Sequence, residues 1–459
     1  MHFEIAALEK ILGARTVARG EGAVVASVSI DSRTIKAGDL YVAIKGAHFD
    51  GNDFVADALA KGAIGAVVDR DVAAPEGKWC FRVNDSVAAL GALASQWRST
   101  LKTPCIAITG SNGKSTTKEM VAAVASQKGK VVKTEGNLNN LIGCPLTLLR
   151  WDASCDIAVI EMGMNAPGEI DSLARITNPD IGIITNVNPA HLELLHSVEN
   201  VAKAKGELFR AMRKDGVVIV NREDPWVTKL GNEYPGKQIT FGMLNGVDVQ
   251  FGHMISQDLA DMELTCMVQG KEYSLKLPVA GTHNVMNALC AIATGLALGV
   301  KVEDAARSLT GFKPMKMRME RVVLANGVHV VNDTYNANPG SMKAALRTVG
   351  GFHRAGRFIA VLGDMFELGD ASASLHSEVG TNAAKNGVDA LFVLGSFAGD
   401  VASGATSGGV KKVMRFADVG ELTSELSKML QPGDVVLVKG SRGMKMERVV
   451  DFLKYEFGI

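Results

Sequence analysis

Short runs of apolar residues alternate with helix-like segments over most of the chain. In the middle of the sequence the apolar runs are Cys105–Ile108, Ile157–Ile160, Ile181–Ile184 and Val217–Val220. Segments with helical periodicity separate several of them, and one helix is predicted to begin near Ser115. Such alternation is typical of a mostly parallel sheet covered by helices on both faces. The middle of the chain is therefore predicted to be an α/β domain.

The alternation starts again after the junction Gly311-Phe312-Lys313-Pro314. The apolar runs of this second region are Val328–Val331, Phe358–Leu362, Leu391–Leu394 and Val435–Val438. Helical segments over Ser341–Val349 and Leu422–Leu430 lie between them. We predict a second, smaller doubly wound domain here.

The N-terminal part of the chain forms a third unit by pattern. Its segment SIDSRTIKAGDLYVAIKG alternates around a polar turn, and a helical stretch over Asp53–Lys61 precedes an apolar run over Ala63–Val68. At about 150 residues per domain, 459 residues suggest about three domains. We place them at residues 1–83, 84–313 and 314–459.

Polar side chains cluster directly after the predicted strands. In the middle domain these are Ser111–Ser115, Glu161 and the stretch from Asn186 to His191, and in the last domain they are Asp333, Asp364 and Lys439. Open parallel sheets bind ligands at the carboxyl ends of their strands. Two such domains that face each other would form a cleft with reactive groups on both walls.

Composition narrows the class of protein. Lys plus Arg and Asp plus Glu both number 49, so the net charge is zero, which argues against a general nucleic-acid binder. The six cysteines form no CxxC pair, and we expect buried free thiols in a reducing compartment. The N-terminus shows no export signal, and the longest apolar stretch, Ala288–Val300, falls short of the ~20 residues that span a bilayer. We expect a cytoplasmic protein without membrane insertion.

Residues 104–117, PCIAITGSNGKSTT, have the character of a phosphate-binding loop. Glycines let the backbone wrap around phosphates, and a helix N-terminus presents N–H groups. Lys114 would reach the β- and γ-phosphates, and the Ser115 hydroxyl would ligate Mg²⁺. The pattern GxxxxGK[ST] is not met, because Ile108 stands where its first glycine would be. An ordinary glycine-rich turn is the alternative.

Three further residues are candidates for a magnesium site. Glu161 and His191 follow predicted strands, although a capping acid and a structural histidine are the simpler readings. Oxygen ligands suit Mg²⁺, which takes few protein carboxylates. Lys205 lies on the apolar face of a predicted helix over Val198–Met212, whereas Lys203 faces the opposite side. Such a lysine either extends its ammonium to solvent along the apolar surface or is a functional group sheltered from water.

With these residues in view, the chain resembles the Mur ligase family. The family loop TGxNGK(S/T) matches Thr109 to Ser115, including the missing first glycine. Four longer strings also match: HFDGNDF (48–54), GNLNNLIGCPLTLL (136–149), NDTYNANPGSM (332–342) and GDMFELG (363–369). The resemblance covers nearly the whole chain in the right order. The last strings favour the members that add a dipeptide over those that add diaminopimelate or lysine.

The resemblance implies an α/β fold of three domains: a smaller N-terminal UDP-substrate domain, a central parallel-sheet P-loop ATPase domain and a C-terminal Rossmann-like domain. It implies a monomer that uses ATP and Mg²⁺ to join D-alanyl-D-alanine to a UDP-N-acetylmuramoyl tripeptide. Nucleotide-binding residues would be Gly110, Ser111, Asn112, Gly113, Lys114, Ser115, Thr116, Asn287, Arg318 and Asp333. Substrate-binding residues would be Asp31, Ser32, Arg33, Asn137, Asn139, Asn140, Asn336 and Asn338. Metal ligands would be Ser115, Glu161, His191 and a Lys205 carbamylated by CO₂, and the catalytic group would comprise Lys114, Glu161, His191 and Lys205.

Two other functions stay open from the sequence. Another amide ligase of the superfamily, such as a folylpolyglutamate synthase, would share the loop but lack the muramoyl-type N-terminal domain. A nucleotide-dependent switch would hydrolyse ATP without any amine. In a simple reading, Asp31-Ser32-Arg33 is only a turn.

Overall fold

The computed structural model of the protein describes residues 3–73, 75–152 and 154–459. The strands are β1 (Phe3–Glu4), β2 (Arg15–Ala18), β3 (Val24–Val25), β4 (Ser27–Ser29), β5 (Asp39–Val42), β6 (Gly65–Val68), β7 (Trp79–Arg82), β8 (Cys105–Thr109), β9 (Val131–Lys133), β10 (Ile157–Glu161), β11 (Ile181–Ile184), β12 (Val217–Asn221), β13 (Lys237–Gly242), β14 (Val249–Gln257), β15 (Met262–Val268), β16 (Lys271–Leu277), β17 (Glu320–Val323), β18 (His329–Asp333), β19 (Phe358–Gly363), β20 (Ala390–Leu394), β21 (Lys412–Phe416) and β22 (Val435–Lys439).

The α-helices are α1 (Ile5–Leu12), α2 (Val55–Ala60), α3 (Ser86–Thr100), α4 (Lys114–Ala125), α5 (Gly143–Leu149), α6 (Glu169–Thr177), α7 (Leu192–Leu195), α8 (Val198–Ala211), α9 (Pro225–Glu233), α10 (Thr282–Ala297), α11 (Val302–Thr310), α12 (Pro339–Gly350), α13 (Ser372–Lys385), α14 (Ala398–Ser407), α15 (Val419–Met429) and α16 (Glu447–Phe457). Short 3₁₀ helices cover Gly51–Phe54, Ser126–Lys128, Gly369–Ala371 and Arg442–Met444. None of the helices that the structure describes has the length and apolar character needed to cross a bilayer.

The N-terminal sheet has five strands in the order β2-β7-β6-β5-β4. Strands β4 to β7 are parallel, and β2 pairs antiparallel with β7 at one edge. The predicted apolar run at 63–68 contains β6. The helix predicted at 53–61 is shorter than expected, because a 3₁₀ turn over Gly51–Phe54 precedes α2. The Asp50 side chain caps this turn by accepting the Asn52 N–H at 2.9 Å.

The central sheet has nine strands in the order β16-β15-β14-β13-β12-β11-β8-β10-β9. Pairing is parallel from β9 to β14 and antiparallel among β14, β15 and β16. The four predicted apolar runs correspond to β8, β10, β11 and β12. The antiparallel extension was not predicted: β14 and the edge strand β16 carry many exposed positions, which weakens their apolar signal.

Strand β8 shows why these runs are continuously apolar. Cys105 and Ala107 belong to the core under α3, α6 and α8, whereas Ile106 and Ile108 belong to the core under α4 and α10. Successive side chains of a strand point to opposite faces, so a strand covered on both faces must be apolar throughout. All six cysteines are buried and free, as predicted.

The C-terminal sheet has six strands in the order β17-β18-β22-β19-β20-β21. Only β17 pairs antiparallel among the pairings described for this sheet. Helices α12 to α14 cover one face, and α15 and α16 cover the other. The strands of the three large sheets lie within residues 15–82, 105–277 and 320–439. We therefore keep 1–83, 84–313 and 314–459 as the proposed domain boundaries.

Candidate active site

The loop between β8 and α4 requires glycine at two positions. Gly110 and Gly113 have φ angles of 146° and 79°. A Cβ at Gly110 would lie 1.9 Å from Thr185 Oγ1, and one at Gly113 would lie 2.7 Å from Asn287 Oδ1. The helix then begins at Lys114, so the backbone N–H groups of its first turn face the loop. This is an anion-binding cradle.

Side chains after β11 hold the loop in place. Asn186 Oδ1 accepts from the Asn112 N–H at 2.9 Å, and Thr185 Oγ1 donates to the Asn112 carbonyl at 2.6 Å. Ser111 Oγ donates to the Asn188 carbonyl at 3.0 Å and accepts from the Asn188 N–H at 2.9 Å. The Ser111 hydroxyl is therefore fully engaged within the protein, and its role is to anchor the loop.

The Lys114 ammonium folds back over the cradle. Its Nζ donates to the Gly110 carbonyl at 2.7 Å. Burial lowers the pKa of Lys114 from its ordinary value, while the carboxylate of Glu161 opposes that shift. The ammonium is thus positioned where a bound phosphate would take over its hydrogen bond.

Glu161 ends β10 and is 2% exposed. Its backbone N–H donates to Thr134 Oγ1 at 2.9 Å, and its Oε1 accepts from Asn139 Nδ2 at 2.9 Å. Its other oxygen, Oε2, is buried without a hydrogen-bond partner and lies 3.9 Å from Lys118 Nζ. An unpartnered buried carboxylate oxygen is costly unless a ligand or cation uses it.

The described residues contain no group of three or more His, Cys, Asp or Glu side chains that could hold a metal. Mg²⁺ does not need such a group, because it keeps several waters and binds substrate phosphates. Ser115 Oγ, the free oxygen of Glu161 and a histidine at the end of β11 fit an ion of that kind. All three line one cleft of about 960 Å³.

His191 is the histidine in question. Its backbone is left-handed, with φ at 55°, and its ring Nδ1 lies 2.6 Å from Glu367 Oε2. The adjacent His191 ring lowers the pKa of Glu367. The contact is close but lacks the alignment of a regular hydrogen bond, and the buried His191 Nδ1 has no other hydrogen-bond partner among the described residues. His191 therefore has a carboxylate partner from the C-terminal domain.

Lys205 lies on α8 and is 1% exposed. Buried Val201, Leu208 and Phe209 share its helix. Burial, and then the positive charge of Lys114, lower the pKa of Lys205 well below its ordinary value. Lys205 is not among the described residues that line the cleft, but it is close enough to Lys114 for their charges to interact.

The C-terminal domain closes the cleft from the other side. Arg318 Nη2 donates to Ser115 Oγ at 2.9 Å, and its guanidinium lies 4.0 Å from the ring centroid of Tyr335. Asn338 Nδ2 donates to Asn112 Oδ1 at 2.7 Å. Two residues of the predicted nucleotide site therefore contact the third domain directly.

The buried Lys439 fixes Asp333 and Asn336 in position. From the sequence, Lys439 was noted as a polar residue directly after a predicted strand. Lys439 Nζ donates to Asp333 Oδ2 at 2.5 Å and to the Asn336 carbonyl at 2.9 Å. The Met319 N–H also donates to Asp333 Oδ1, at 3.1 Å. Asp333 thus organises its own domain as well as facing the cleft.

The structure brings most of the predicted site together. The predicted residues that line the cleft are Ser111, Asn112, Gly113, Lys114, Ser115, Thr116, Asn137, Asn139, Asn140, Glu161, His191, Asn287, Arg318, Asp333, Asn336 and Asn338. Asn287 also supports the loop, because its Oδ1 accepts from Thr117 Oγ1 at 3.0 Å. Gly110 lies behind the cleft lining, like Lys205.

The predicted triplet Asp31-Ser32-Arg33 lies in the N-terminal domain, outside the described cleft lining. Asp31 accepts from the Arg33 N–H at 2.9 Å and from Arg33 Nη2 at 2.7 Å. These hydrogen bonds lower the pKa of Asp31 to about 2. The Arg33 side chain is 85% exposed. The triplet forms a charged surface turn, and its uridine role stays a prediction.

Two groups at the site were missed from the sequence: the half-buried His283 and the buried Lys118. His283 lines the cleft, and burial lowers its pKa to about 4, so its ring is neutral near pH 7. Lys118 is 1% exposed; its Nζ donates to the Thr134 carbonyl at 2.6 Å and lies 3.2 Å from Glu119 Oε1. The signal for Lys118 was its position one helical turn after Lys114, on the buried face of α4.

Lys118→Met is expected to lower the free energy of unfolding by about 3–5 kcal/mol, because it removes the buried ammonium 3.9 Å from Glu161 Oε2 and leaves the Thr134 carbonyl without its donor. Lys133→Met is the control: Lys133 pairs with Glu119 but is 41% exposed, so less than about 1 kcal/mol is expected. Urea unfolding of both variants measures the difference. Equal stabilities would show that the buried lysine does not compensate Glu161.

Family models of known proteins match the chain in three consecutive parts. The Mur ligase family catalytic domain matches residues 24–128, the Mur ligase middle domain matches residues 108–295, and the Mur ligase glutamate ligase domain matches residues 317–442. These three matches follow the order of the three sheets, with the first extending past the N-terminal sheet over β8 and α4, and they confirm the predicted fold class.

Individual relatives match over nearly the full length. The UDP-N-acetylmuramoyl-tripeptide–D-alanyl-D-alanine ligase of Bacillus subtilis is 38% identical, with 96% of each chain covered. A crystal structure of MurF from Acinetobacter baumannii superposes with a TM-score of 0.91 at 31% identity, covering 99% of each chain. The MurF ligase of Thermotoga maritima in complex with ADP gives a TM-score of 0.85 at 28% identity, covering 94% of this chain and 98% of that one. This chain belongs to the Mur ligase family.

Proposed function

We propose that the protein is the ATP-dependent ligase that adds D-alanyl-D-alanine to a UDP-N-acetylmuramoyl tripeptide in peptidoglycan synthesis. One observation carries the proposal: a phosphate loop and a C-terminal domain meet across a single cleft, in a chain aligned end to end with a Bacillus subtilis ligase of that name. A folylpolyglutamate-type ligase and a switch without ligase chemistry are both less well supported by this full-length match.

The reaction must first activate a carboxylate, which is a poor electrophile. Transfer of the γ-phosphoryl group of ATP to a carboxylate oxygen of the tripeptide releases ADP and forms an acyl phosphate. The dipeptide amine then attacks the carbonyl carbon, loses a proton and expels inorganic phosphate through a tetrahedral intermediate. No step needs a protein nucleophile, so catalysis depends on positioning and electrostatics.

The loop residues supply most of that electrostatic support. The N–H groups at the start of α4 would bind the nucleotide phosphates, and the Lys114 ammonium would neutralise charge on the moving phosphoryl group. Arg318, held over Tyr335 and beside Ser115, adds a second fixed positive charge from the opposite wall. Burial of the site strengthens these interactions and excludes the water that would hydrolyse the acyl phosphate.

Ser115, Glu161 and His191 are the proposed protein ligands of Mg²⁺. A bound Mg²⁺ would screen the phosphate charges and orient the γ-phosphoryl group. The free oxygen of Glu161 is the feature that fits the cation best. We also propose that Lys205 carries a carbamate that helps hold a second Mg²⁺, since an unmodified lysine ammonium has no acceptor for a cation.

The remaining site residues are assigned to the organic parts of the substrates. Asn287 and Asp333 would contact the nucleoside of ATP. Asn137, Asn139, Asn140, Asn336 and Asn338 would bind the peptides. Amides both donate and accept, which suits the peptide bonds of the tripeptide and the dipeptide. Asp31, Ser32 and Arg33 would bind the uridine end.

We further propose that the protein acts as a monomer in the cytoplasm. The monomeric state rests on the resemblance to the Mur ligase family, and six buried free thiols suit a reducing compartment. The net charge of zero gives no general affinity for nucleic acid.

The acceptor test decides the function. Incubation with ATP, the UDP-tripeptide and D-alanyl-D-alanine should give the UDP-pentapeptide, ADP and phosphate by mass spectrometry. Lysine or diaminopimelate in place of the dipeptide should give no product. Efficient use of either amino acid with the dipeptide inert, or phosphate release that ignores the dipeptide, would overturn the assignment.

The carbamate proposal predicts a rescue experiment. A neutral Lys205 amine attacks CO₂, forms an N–C bond and releases a proton, and burial favours that neutral amine by lowering its pKa. Lys205→Ala should therefore lose most ligation activity, and short carboxylic acids at high concentration should partly restore it. Lys203→Ala should be nearly silent, because Lys203 is exposed and pairs with Glu199. Full activity of Lys205→Ala in CO₂-depleted buffer contradicts the proposal.

A further inference from the structure

One loop of the C-terminal domain contacts α7 of the central domain, which follows β11 and its loop. It comprises residues 364–369 and follows β19. The Glu193 N–H donates to the Glu367 carbonyl at 3.2 Å, and a Cβ added at Gly369 would lie 3.3 Å from Glu193 Cα. The two backbones are therefore in direct contact beside His191.

The side chain of Glu367 completes this contact. Its Oε2 lies 2.6 Å from His191 Nδ1. Glu367 is not one of the residues proposed to bind the nucleotide, the peptides or the metal. Glu367 is 54% exposed on its side chain, so it is not a residue on which the core depends. Among the described residues, the close partner of the Glu367 carboxylate is the His191 ring, which is proposed to bind a cation.

Three anchors fix the loop that carries Glu367. The Met365 N–H donates to His376 Nε2 at 2.9 Å, and the Phe366 N–H donates to Ser441 Oγ at 2.9 Å. Asp364 accepts the Ser396 N–H at 2.7 Å, which ties the start of the loop to the next strand connection. The Glu367 carboxylate is thus presented by a rigid support.

The chemistry of imidazole gives this contact a consequence. A ring that donates its Nδ1–H to a carboxylate keeps the Nε2 lone pair free and pointed the other way. Metal-bound histidines regularly have such a carboxylate behind them, and its loss weakens metal binding.

We propose that Glu367 is a positioning residue for the metal site: it accepts the Nδ1–H of His191 and sets the ring so that Nε2 faces the cation. The inference rests on the proposed function and its magnesium ligands. Because Glu367 and His191 belong to different domains, the metal site is fully ordered only when these domains meet. Metal binding and domain contact must then strengthen each other equally.

The test measures metal binding rather than turnover. Mn²⁺ replaces Mg²⁺, and electron paramagnetic resonance gives its affinity for the full chain with a non-hydrolysable ATP analogue and the UDP-tripeptide. Glu367→Ala should weaken Mn²⁺ binding about 10-fold. Glu367→Gln, which keeps a neutral acceptor, should fall between this variant and the wild type.

Glu193→Ala is the matched control. It removes a negative charge beside the same contact between domains. Glu193 makes that contact through its backbone N–H, which the substitution keeps, so Mn²⁺ affinity should stay within about 2-fold of wild type. In a His191→Ala background, Glu367→Ala should have no further effect, because the ring it positions is gone.

Two results would overturn the inference. One is an Mn²⁺ affinity for Glu367→Ala equal to that of Glu193→Ala. The other is a full 10-fold loss that persists in the His191→Ala background. If either result is found and the wild-type protein still makes the UDP-pentapeptide, only the role of Glu367 is wrong and the proposed function is retained. A wild type that makes no pentapeptide removes the proposed function itself.

Discussion

The site depends on one constraint: the carboxyl ends of the strands in the central sheet and in the C-terminal sheet must face each other across one cleft. The contacts of Arg318 with Ser115, Asn338 with Asn112 and Glu367 with His191 all cross it. Neither sheet alone carries both a phosphate cradle and a second positive wall. Phosphoryl transfer requires little covalent chemistry from a protein. Catalysis at this site therefore depends on how accurately the two domains position their charged groups around the substrates.

Buried charge is the cost of this arrangement. Lys118, Glu161, Lys205 and Lys439 are each no more than 2% exposed. Buried ions lower stability unless partners satisfy them. Lys118 and Lys439 have such partners in carbonyls and carboxylates, whereas one oxygen of Glu161 has no hydrogen-bond partner. The unsatisfied group coincides with the proposed cation site, where a bound ligand would supply the missing interaction.

Strands buried on both faces were predictable from sequence because burial makes them continuously apolar. The run at 181–184 coincides with β11, and the phosphate loop follows from glycine, lysine and serine in order between a strand and a helix. Strands β14 and β16 were not predicted, because half-exposed strands lack that signal.

The contacts between domains had no local sequence signal. Glu367 and His191, or Arg318 and Ser115, are far apart in the chain, and no periodicity connects them. The positions of Asn336 and Asn338 in the cleft came only from resemblance to a family, whereas Asp333 was also indicated by its place directly after a predicted strand. The uridine role of Asp31, Ser32 and Arg33 rests on that resemblance alone, since an exposed turn of charged residues has many ordinary uses.

Small-angle X-ray scattering tests most directly whether the central and C-terminal domains face each other across the cleft. With an ATP analogue, Mg²⁺ and the UDP-tripeptide at saturation, the profile should match one calculated from the arrangement in which Arg318 reaches Ser115. Without ligands the particle should be more extended, and identical profiles with and without ligands would count against closure of the C-terminal domain over the ATP site. A more extended particle at saturating ligand concentrations would contradict the claim that the C-terminal domain completes the site.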